Sequence, residues 1–352
     1  MSRTGTPSSL PATMRAWQWS QCNDTLENAI RLQDSAPLPT ARRPLRSGES
    51  LVQVYAAALN PVDYKLAELP IAGRIAITKP ATPGLDFAGS VVEVGPDCQV
   101  HVGQRVFGKL EPNQQFGSLG EYVVVSKAGV VPIPEGVSVE HAATLGICGL
   151  VSYQSLAPNV KPGDRLFING GSGGTGTFAV QIAKALGCHV TTTCSGSNVP
   201  LCKDLGADEV IDYRSSDVLK TLAQSPQKYD FVLDNIGNDY NMYWKAPEFT
   251  RPGAKYVQIG SEVSFSVVYE VAFRLLLPSI LGGGKRPFAF GMTTANPEHL
   301  TELGALLVQG KVRPVIDEIF AFEDAPDAYK KLKTGRAKGK IVVRVRHDET
   351  ST

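Results

Sequence analysis

A glycine-rich segment set between an apolar strand and a helical stretch constrains the fold most. Residues 169–176 read NGGSGGTG and follow the apolar run Arg165–Asn169. A helical pattern at 177–186 comes next, and Gly187 closes it. The G-x-G-x-x-G spacing is carried by Gly171, Ser172, Gly173, Gly174, Thr175 and Gly176. Such glycines let the backbone approach a pyrophosphate at a helix N-terminus, so the segment predicts dinucleotide binding rather than a merely flexible turn.

The residues after the second strand, 189–193, bear on the choice of dinucleotide. No Asp or Glu stands where an NAD enzyme normally holds the adenosine ribose hydroxyls. A missing carboxylate removes repulsion against a 2′-phosphate, so the sequence predicts NADPH in preference to NADH. Candidate donors to the phosphate are Ser195, Ser197, Asn198, Lys203 and Tyr213. The alternative is that these are only turn residues and that Lys203 is a solvated helix residue.

The pattern of strands and helices divides the chain into two kinds of segment. Residues 14–136 alternate β-branched positions with Gly and Pro, which predicts a β-rich domain. Residues 137–294 begin with helical patterning and continue with alternating strands and helices, which predicts a doubly wound parallel sheet. Residues 295–352 are mixed and are assigned to the first domain, which makes it discontinuous. The fold class is therefore α/β, and residues 1–13 are expected to be a disordered leader.

Charge, cysteines and hydropathy narrow the partners and the compartment. Thirty-five basic residues against thirty-four acidic ones leave a net charge of +1, so nucleic acid is not expected and a small molecule is. The six cysteines form no CxxC pair and indicate a reducing cytoplasm, with mitochondria as the alternative because of the leader's Arg and Ser/Thr content. The apolar run 267–281 is too short and too charged to span a bilayer, and is expected to be a lid or a dimer surface.

Several ordered motifs resemble the quinone oxidoreductase branch of the medium-chain dehydrogenase/reductase superfamily. Besides the glycine-rich loop they are NPVDYK at 60–65, ATPGLDFAGSVVEVG at 81–95, VGQRVFG at 102–108, LGADEVIDY at 205–213 and GRAKGKIVVRV at 335–345. The resemblance implies a GroES-like catalytic domain, a Rossmann domain, and an active site in the cleft between them. Similar proteins include mitochondrial reticulon-interacting oxidoreductases, plant enone reductases and fungal trans-acting enoyl reductases.

Zinc separates the branches of that superfamily, because its alcohol dehydrogenases carry the metal. A structural zinc lobe needs four closely spaced Cys, which this sequence lacks. Where the family's GHE motif is expected the chain reads Gly84-Leu85-Asp86, and Asn60 stands near the first cysteine ligand. Cys148 lies close to the third ligand region but is more typical of a buried small hydrophobe. The sequence therefore predicts a zinc-free enzyme.

Without a Lewis acid, a conjugated acceptor is easier to reduce than an isolated ketone, because hydride addition leaves charge on an enolate oxygen that hydrogen bonds can stabilise. Asn60 and Tyr64 are predicted to do this, although Asn60 before Pro61 is also a good helix cap, and both roles can hold. Lys65 is predicted to protonate the α-carbon or orient the nicotinamide ribose, with a surface lysine as the alternative. By the resemblance, three residues lie near the cofactor: Thr144, Asn235 and Gly260.

The predicted function is reduction by NADPH of a carbon–carbon double bond conjugated to a carbonyl, in an enone, 2-alkenal or enoyl thioester, or reduction of a quinone. A metal-free ketone or aldehyde reductase and a non-enzymatic NADPH-binding interaction protein are the alternatives. The polar groups at 60, 64 and 65 favour catalysis. A homodimer formed through the apolar strand at 286–290 is expected, and a carrier-bound acyl chain is a further candidate substrate.

Overall fold

The computed structural model describes residues 10–40, 43–69, 77–260 and 284–347. Most of the predicted leader at 1–13 and the whole apolar segment at 267–281 lie outside these described residues. Within them, the chain forms two large β-sheets and a two-stranded ribbon, with helices packed around them. No helix in the described stretches has the length and apolar character needed to cross a membrane.

The first large sheet is mostly antiparallel and forms the β-rich domain. Its strands are β3 (Glu49–Ala58), β4 (Asp86–Val94), β5 (Arg105–Lys109), β6 (Tyr122–Ser126), β7 (Val130–Pro132), β14 (Ile316–Ala321) and β15 (Lys340–Arg344). They lie in the order β14-β15-β3-β4-β5-β7, and β6 also pairs with β3. A separate ribbon joins β1 (Thr13–Gln18) to β2 (Arg31–Pro37). Two strands from the end of the chain thus complete a sheet that the first part of the chain begins.

The second large sheet is parallel throughout its described pairings. Its strands are β8 (Arg165–Asn169), β9 (His189–Cys194), β10 (Glu209–Asp212), β11 (Tyr229–Asp234), β12 (Thr250–Gln258) and β13 (Phe288–Phe290). Their order is β10-β9-β8-β11-β12-β13. The chain therefore runs outward in one direction from β8 and in the other from β11. In such sheets a ligand binds at the carboxyl ends of the strands where the order reverses, which here are β8 and β11.

The described helices are four to twelve residues long. They are α1 (Leu26–Ala29), α2 (Pro61–Glu68), α3 (Val139–Ala143), α4 (Leu150–Leu156), α5 (Gly174–Ala185), α6 (Val199–Asp204), α7 (Val218–Ala223), α8 (Tyr240–Trp244), α9 (Ala246–Phe249), α10 (Pro297–Val308) and α11 (Ala325–Lys333). Short 3₁₀ turns occur at Lys127–Gly129, Gly196–Asn198 and Phe322–Asp324. The fold is therefore α/β, a GroES-like β-rich domain joined to a Rossmann-type parallel sheet.

One predicted helix is interrupted in the structure. The helical pattern that begins at Ser138 divides into α3, a π-turn at Leu145–Gly149, and α4. The π-turn coincides with a hydrogen bond of 2.8 Å from the Ile147 backbone N–H to Asp86 Oδ1, an acceptor outside the helix. A Cβ on Gly146 would lie only 2.3 Å from that oxygen, so the turn requires glycine there. Such π-turns are frequent at functional sites.

The two domains share one hydrophobic core. Ala56, Ala88 and Phe107 from the β-rich sheet belong to the same cluster of buried side chains as Ile168 and Phe178 of the parallel sheet and its helix. The interface between the domains is therefore packed like a protein interior, and buried side chains from both domains form the base of the cleft.

The strand expected at 286–290 is shorter in the structure and lies at an edge. Phe288–Phe290 pairs with β12 on one side and is the outermost strand of the described sheet on the other. Phe290 is partly exposed there, so this edge is available for pairing with a second copy of the chain. Dimer formation stays a prediction.

Candidate active site

The glycine-rich loop has the three-part construction that a pyrophosphate site requires. A Cβ on Gly171 would lie 2.2 Å from Thr192 Oγ1, and one on Gly176 would lie 2.0 Å from the Gly170 carbonyl oxygen. These two glycines therefore allow the loop and α5 to pack against the sheet. The nearest described atom to a Cβ on Gly173 is 4.0 Å away, so this position is open. Backbone N–H groups of the first turn of α5 begin beside it, where an anion binds best.

The loop after β9 lies beside the glycine-rich loop. Asn198 donates a hydrogen bond of 3.1 Å from Nδ2 to Ser172 Oγ, which ties the two loops together. Its Oδ1 atom is buried and finds no partner among the described residues. Ser195 Oγ and Ser197 Oγ lie 3.4 Å apart on the exposed side. Three of the five predicted adenosine-side residues are thus together, with one unpaired acceptor between the loops.

Lys203 and Tyr213 differ in their placement. Lys203 Nζ donates a hydrogen bond of 2.5 Å to the carbonyl oxygen of Asp208, so its ammonium is directed to that turn and not to the serines. Tyr213 follows β10, and its backbone N–H donates to the Cys194 carbonyl at 3.1 Å, which places its backbone beside the end of β9, with the side chain exposed. The geometry therefore favours Tyr213 over Lys203 as a neighbour of the adenosine.

Sequence analysis missed a carboxylate at this end of the sheet. A Cβ on Gly196 would lie 2.8 Å from Asp212 Oδ2, so the Asp212 carboxylate lies directly under the loop after β9. The pKa of Asp212 is lowered, chiefly by a hydrogen bond from the Arg214 backbone N–H, and Ser215 also donates to it. The acidic residue comes from the third strand, β10, although the fingerprint places it after the second.

Beside the switch point, the segments that follow β11 and β12 lie close together. A Cβ on Gly260 would lie 2.0 Å from the Asn235 carbonyl oxygen, so glycine is required for this approach. Both amide atoms of the Asn235 side chain are buried without a partner among the described residues. Buried polar groups are nearly always hydrogen-bonded, so an unpaired amide here indicates a ligand that completes it. Thr144, fully buried, instead donates to the His141 carbonyl at 2.7 Å.

The unpaired amide of Asn235, the unpaired oxygen of Asn198 and the open face of Gly173 fit a dinucleotide. Asp234, which sequence analysis did not single out, fixes this corner by accepting from Asn169 Nδ2 at 2.8 Å and from the hydroxyl of Tyr256 at 2.7 Å. These hydrogen bonds therefore hold the end of β11 next to Asn235, which is predicted to lie near the cofactor.

The interface side of the cleft contains a buried polar cluster made by Asn60, Asp86, Cys148 and Lys340, which we call the interface cluster. Each of the four is less than 5 % exposed. Lys340 Nζ donates to Asn60 Oδ1 at 2.5 Å, and Asn60 Nδ2 donates to Asp86 Oδ2 at 2.8 Å. Cys148 Sγ lies 3.4 Å from Asn60 Oδ1. The cluster joins the β-rich sheet to the π-turn of the nucleotide-binding domain.

Asn60 combines a cap with a place in this cluster. It precedes α2 as its N-cap, and its backbone N–H donates to Asp63 Oδ2 at 2.8 Å. Its carboxamide hydrogens go to Asp86 and to the Ala58 carbonyl at 3.2 Å, and its oxygen receives Lys340. Because both hydrogens are used, this geometry favours a positioning role for Asn60 over direct donation to a substrate oxygen.

Asp63 is a buried carboxyl group that sequence analysis treated only as a capping partner. Burial raises its pKa to about 8. Its Oδ1 atom has no partner among the described residues, and a cavity of about 20 Å³ adjoins it, lined also by Thr82 and Leu85. A cavity of this size holds one water molecule, which would satisfy the carboxyl group.

Tyr64 and Lys65 lie on α2 but do not contact the interface cluster in the same way as Asn60. The Tyr64 ring lies 4.9 Å under Lys333 Nζ, an ammonium that also pairs with Glu27 at 2.6 Å. Burial raises the pKa of the Tyr64 hydroxyl. Lys65 is half-buried on the same helix. The structure therefore brings Asn60 to the interface cluster and Tyr64 to α11, and the catalytic roles of all three stay predictions.

The residues at the expected zinc-ligand positions do not fit a zinc site. Asn60 offers a carboxamide whose oxygen is hydrogen-bonded, Leu85 offers no ligand atom, and Cys148 lies 3.5 Å from the Lys340 ammonium. Across the described ranges, no group of three or more His, Cys, Asp or Glu residues is arranged to bind a metal. Sequence analysis missed Lys340, although a lysine inside the apolar strand GKIVVRV is itself a signal, since lysine is rarely buried without a partner.

Comparison with known proteins agrees with this architecture. Residues 46–135 match the alcohol dehydrogenase GroES-like domain, and residues 205–343 match a family described as zinc-binding dehydrogenase. A trans-enoyl reductase of Aspergillus terreus is 46% identical over 97% of this chain and 99% of its own. A mitochondrial NAD(P)H oxidoreductase of Danio rerio is 32% identical over 92% of this chain and 89% of its own.

The solved structure of a quinone oxidoreductase from Coxiella burnetii superposes with a TM-score of 0.80, at 30% identity, over 95% of this chain and 99% of its own. Identity and coverage at these levels extend over both domains and the return of the tail. The protein is therefore an oxidoreductase that uses a nicotinamide cofactor, and it belongs to the medium-chain dehydrogenase/reductase superfamily, in the quinone oxidoreductase and enoyl reductase branch.

Proposed function

We propose that this protein is a zinc-independent, NADPH-dependent reductase of carbon–carbon double bonds conjugated to a carbonyl, or of quinones. One observation carries the proposal, the chemistry of the residues on the two sides of the cleft. The nucleotide side has the glycine-rich loop and the unpaired amide of Asn235. On the other side, the expected zinc-ligand positions hold Asn60, Leu85 and Cys148, whose Sγ lies 3.5 Å from Lys340 Nζ. Two relatives, a trans-enoyl reductase and a quinone oxidoreductase, have names that support the same two substrate classes.

The cofactor, when bound, supplies a hydride. The first turn of α5 binds its pyrophosphate through backbone N–H groups, with Gly173 allowing the approach. Asn235, which follows β11, would hold its nicotinamide half, and Asn198 would accept from a ribose hydroxyl, because these buried side chains have unpaired polar atoms. Ser195 and Ser197 donate to the 2′-phosphate, and the Asp212 carboxylate below is already occupied by backbone N–H groups.

The chain's own groups favour a conjugated acceptor. The expected ligand positions provide no metal-binding set to polarise an isolated ketone, whereas an enone spreads the added charge onto an oxygen that hydrogen bonds can stabilise. Lys65 on α2 is proposed to deliver the proton to the α-carbon. The buried Asp63 and its adjoining cavity lie two residues before Lys65 on the same helix.

The experiment that tests the function is a screen of NADPH oxidation over quinones, short enones, 2-alkenals and enoyl thioesters. We expect turnover with conjugated acceptors and a higher kcat/KM for NADPH than for NADH. Saturated ketones and aldehydes are the control substrates, because a metal-free carbonyl reductase would reduce them equally well. NADPH binding without turnover of any acceptor would instead support a non-enzymatic role. Turnover of an enoyl thioester alone would identify a carrier-bound acyl chain as the substrate.

Two glycines of the loop separate cofactor binding from folding. We expect Gly173→Ala to keep the parental melting temperature but to raise the Kd for NADPH by roughly tenfold or more, because its methyl group enters the open face that the pyrophosphate approaches. Gly176→Ala should lower the free energy of unfolding by about 1–3 kcal/mol, because its Cβ meets the Gly170 carbonyl. Thermal melts and NADPH titrations measure both, and equal NADPH affinity in Gly173→Ala and the parent would contradict the assigned site.

The proton donor is tested with Lys65→Ala. A positioned donor contributes about 10²–10⁴-fold, so enone turnover should fall by at least the lower figure, while quinone turnover falls less because quinone oxygens take protons from water. The exposed Lys311 provides the matched control, and Lys311→Ala should leave both rates unchanged. Enone turnover within a few-fold of the parent, with NADPH binding intact, would show that the proton comes from solvent.

A homodimer is proposed through the exposed edge of Phe288–Phe290, in the cytoplasm. The mitochondrial relative makes mitochondria the alternative compartment. Sedimentation velocity at micromolar concentration is expected to show a dimer, because the outer strand of a sheet is a ready template for pairing with a second copy of the chain. A monomer throughout that range would contradict the assignment.

A further inference from the structure

Lys340 is a deeply buried cation of the cleft. It opens β15, only 2 % of it is exposed, and its Nζ atom has four partners. It donates to the Leu59 carbonyl at 3.0 Å and to Asn60 Oδ1 at 2.5 Å, and it lies 3.4 Å from Asp86 Oδ2 and 3.5 Å from Cys148 Sγ. An ammonium has three hydrogens, so this set of acceptors uses all of them.

These partners coincide with the positions at which the zinc enzymes of this superfamily are expected to hold their metal. Asn60 stands near the first ligand, Asp86 follows the second at Leu85, and Cys148 lies near the third. The structure places a cation of the chain itself among them. Burial by itself lowers the pKa of Lys340, but its interactions with Cys148 and Asp86 outweigh burial, and the pKa of Lys340 is raised.

The backbone before Lys340 reaches the nucleotide loop. The Gly339 N–H donates to the Ser172 carbonyl at 3.0 Å, and Gly339 forms an isolated bridge with Gly173. A Cβ on Gly174 would lie 3.3 Å from both Lys340 Cδ and Cys148 Sγ. Gly339 therefore contacts the glycine-rich loop, and the next residue, Lys340, belongs to the interface cluster.

We propose that Lys340 is a positioning residue of the reaction, whose ammonium takes the place of the metal cation and fixes Asn60 and α2 relative to the nucleotide loop. The proposal rests on the proposed function, because the loop would hold the cofactor and α2 carries the residues proposed to act on the acceptor. Lys340 acts through Asn60 and the loop and does not itself contact the substrate. Hydride transfer is sensitive to displacements of about 1 Å, which can cost roughly 10²-fold in rate.

A double variant separates positioning from folding. Lys340→Met alone leaves the Asp86 carboxylate buried without its cation, and we expect it to be less stable than the parent. Lys340→Met/Asp86→Asn removes both charges, and we expect its melting temperature to return toward the parental value. Lys340→Arg keeps a cation in a different shape. Lys184→Met is the matched control. Lys184 lies on α5, and its Nζ atom pairs with Asp208 Oδ2 at 2.8 Å.

The readouts are the melting temperature, the Kd for NADPH, and kcat and KM for an acceptor that the parent reduces. We expect the double variant to bind NADPH within a few-fold of the parent, to keep KM, and to lose roughly 10²-fold in kcat. Lys340→Arg should recover part of that loss, and Lys184→Met should show none. Parental kcat in the stable double variant, or Lys340→Arg no more active than the double variant, would overturn the proposal.

Zinc analysis of the parent protein tests the inference without any variant. We expect no stoichiometric zinc and unchanged turnover after chelation, because the ammonium occupies the atoms that a metal would need. One zinc per chain would overturn the proposal even if no variant folded. A parent that binds NADPH but reduces no acceptor refutes the proposed function, whereas turnover lost only in the double variant supports the role of Lys340.

Discussion

A charge enclosed between two sheets is the constraint on which this structure depends. Withdrawing an ammonium and a carboxylate from water is costly, and it is offset only where good geometry and further hydrogen bonds satisfy both groups. Lys340 and Asp86 meet that condition through Asn60 and the Ile147 N–H. Each of these partners comes from a different part of the chain. The pair is therefore satisfied in only one arrangement of the domains, which gives the packing of the interface a specific register.

The nucleotide-binding half shows what local sequence can predict. Gly171 and Gly176 make the close approaches that their spacing indicates and Gly173 is open, because a tight turn and a close helix depend on neighbours in sequence. The parallel sheet follows from alternating strands and helices for the same reason. Asp212 was not predicted, because its nearness to the loop after β9 depends on how two strands pair.

The catalytic half shows where local reasoning ends. NPVDYK indicated a helix cap, and the cap is present at Asn60, but the direction of its carboxamide depends on residues 26 and 280 positions away. The sequence predicts a place in the cleft for Tyr64. No neighbour in the chain indicates that the Lys333 ammonium lies over its ring. The polar atoms of this site come from distant segments, so pattern and spacing identify the neighbourhood but not the contacts.

The return of the tail to the first sheet also sets an order of assembly. β15 lies between β14 and β3, yet it is synthesised after the whole parallel sheet. Until it arrives, residues 56–58 of β3 lack a partner strand on that side, where β6 pairs only with residues 49–53, and Asn60 and Asp86 lack their cation. Five strands of the first sheet, β3 to β7, are therefore synthesised before the nucleotide-binding domain, and the two strands that complete the sheet follow it. β15 then pairs with β3 and brings Lys340 to Asn60.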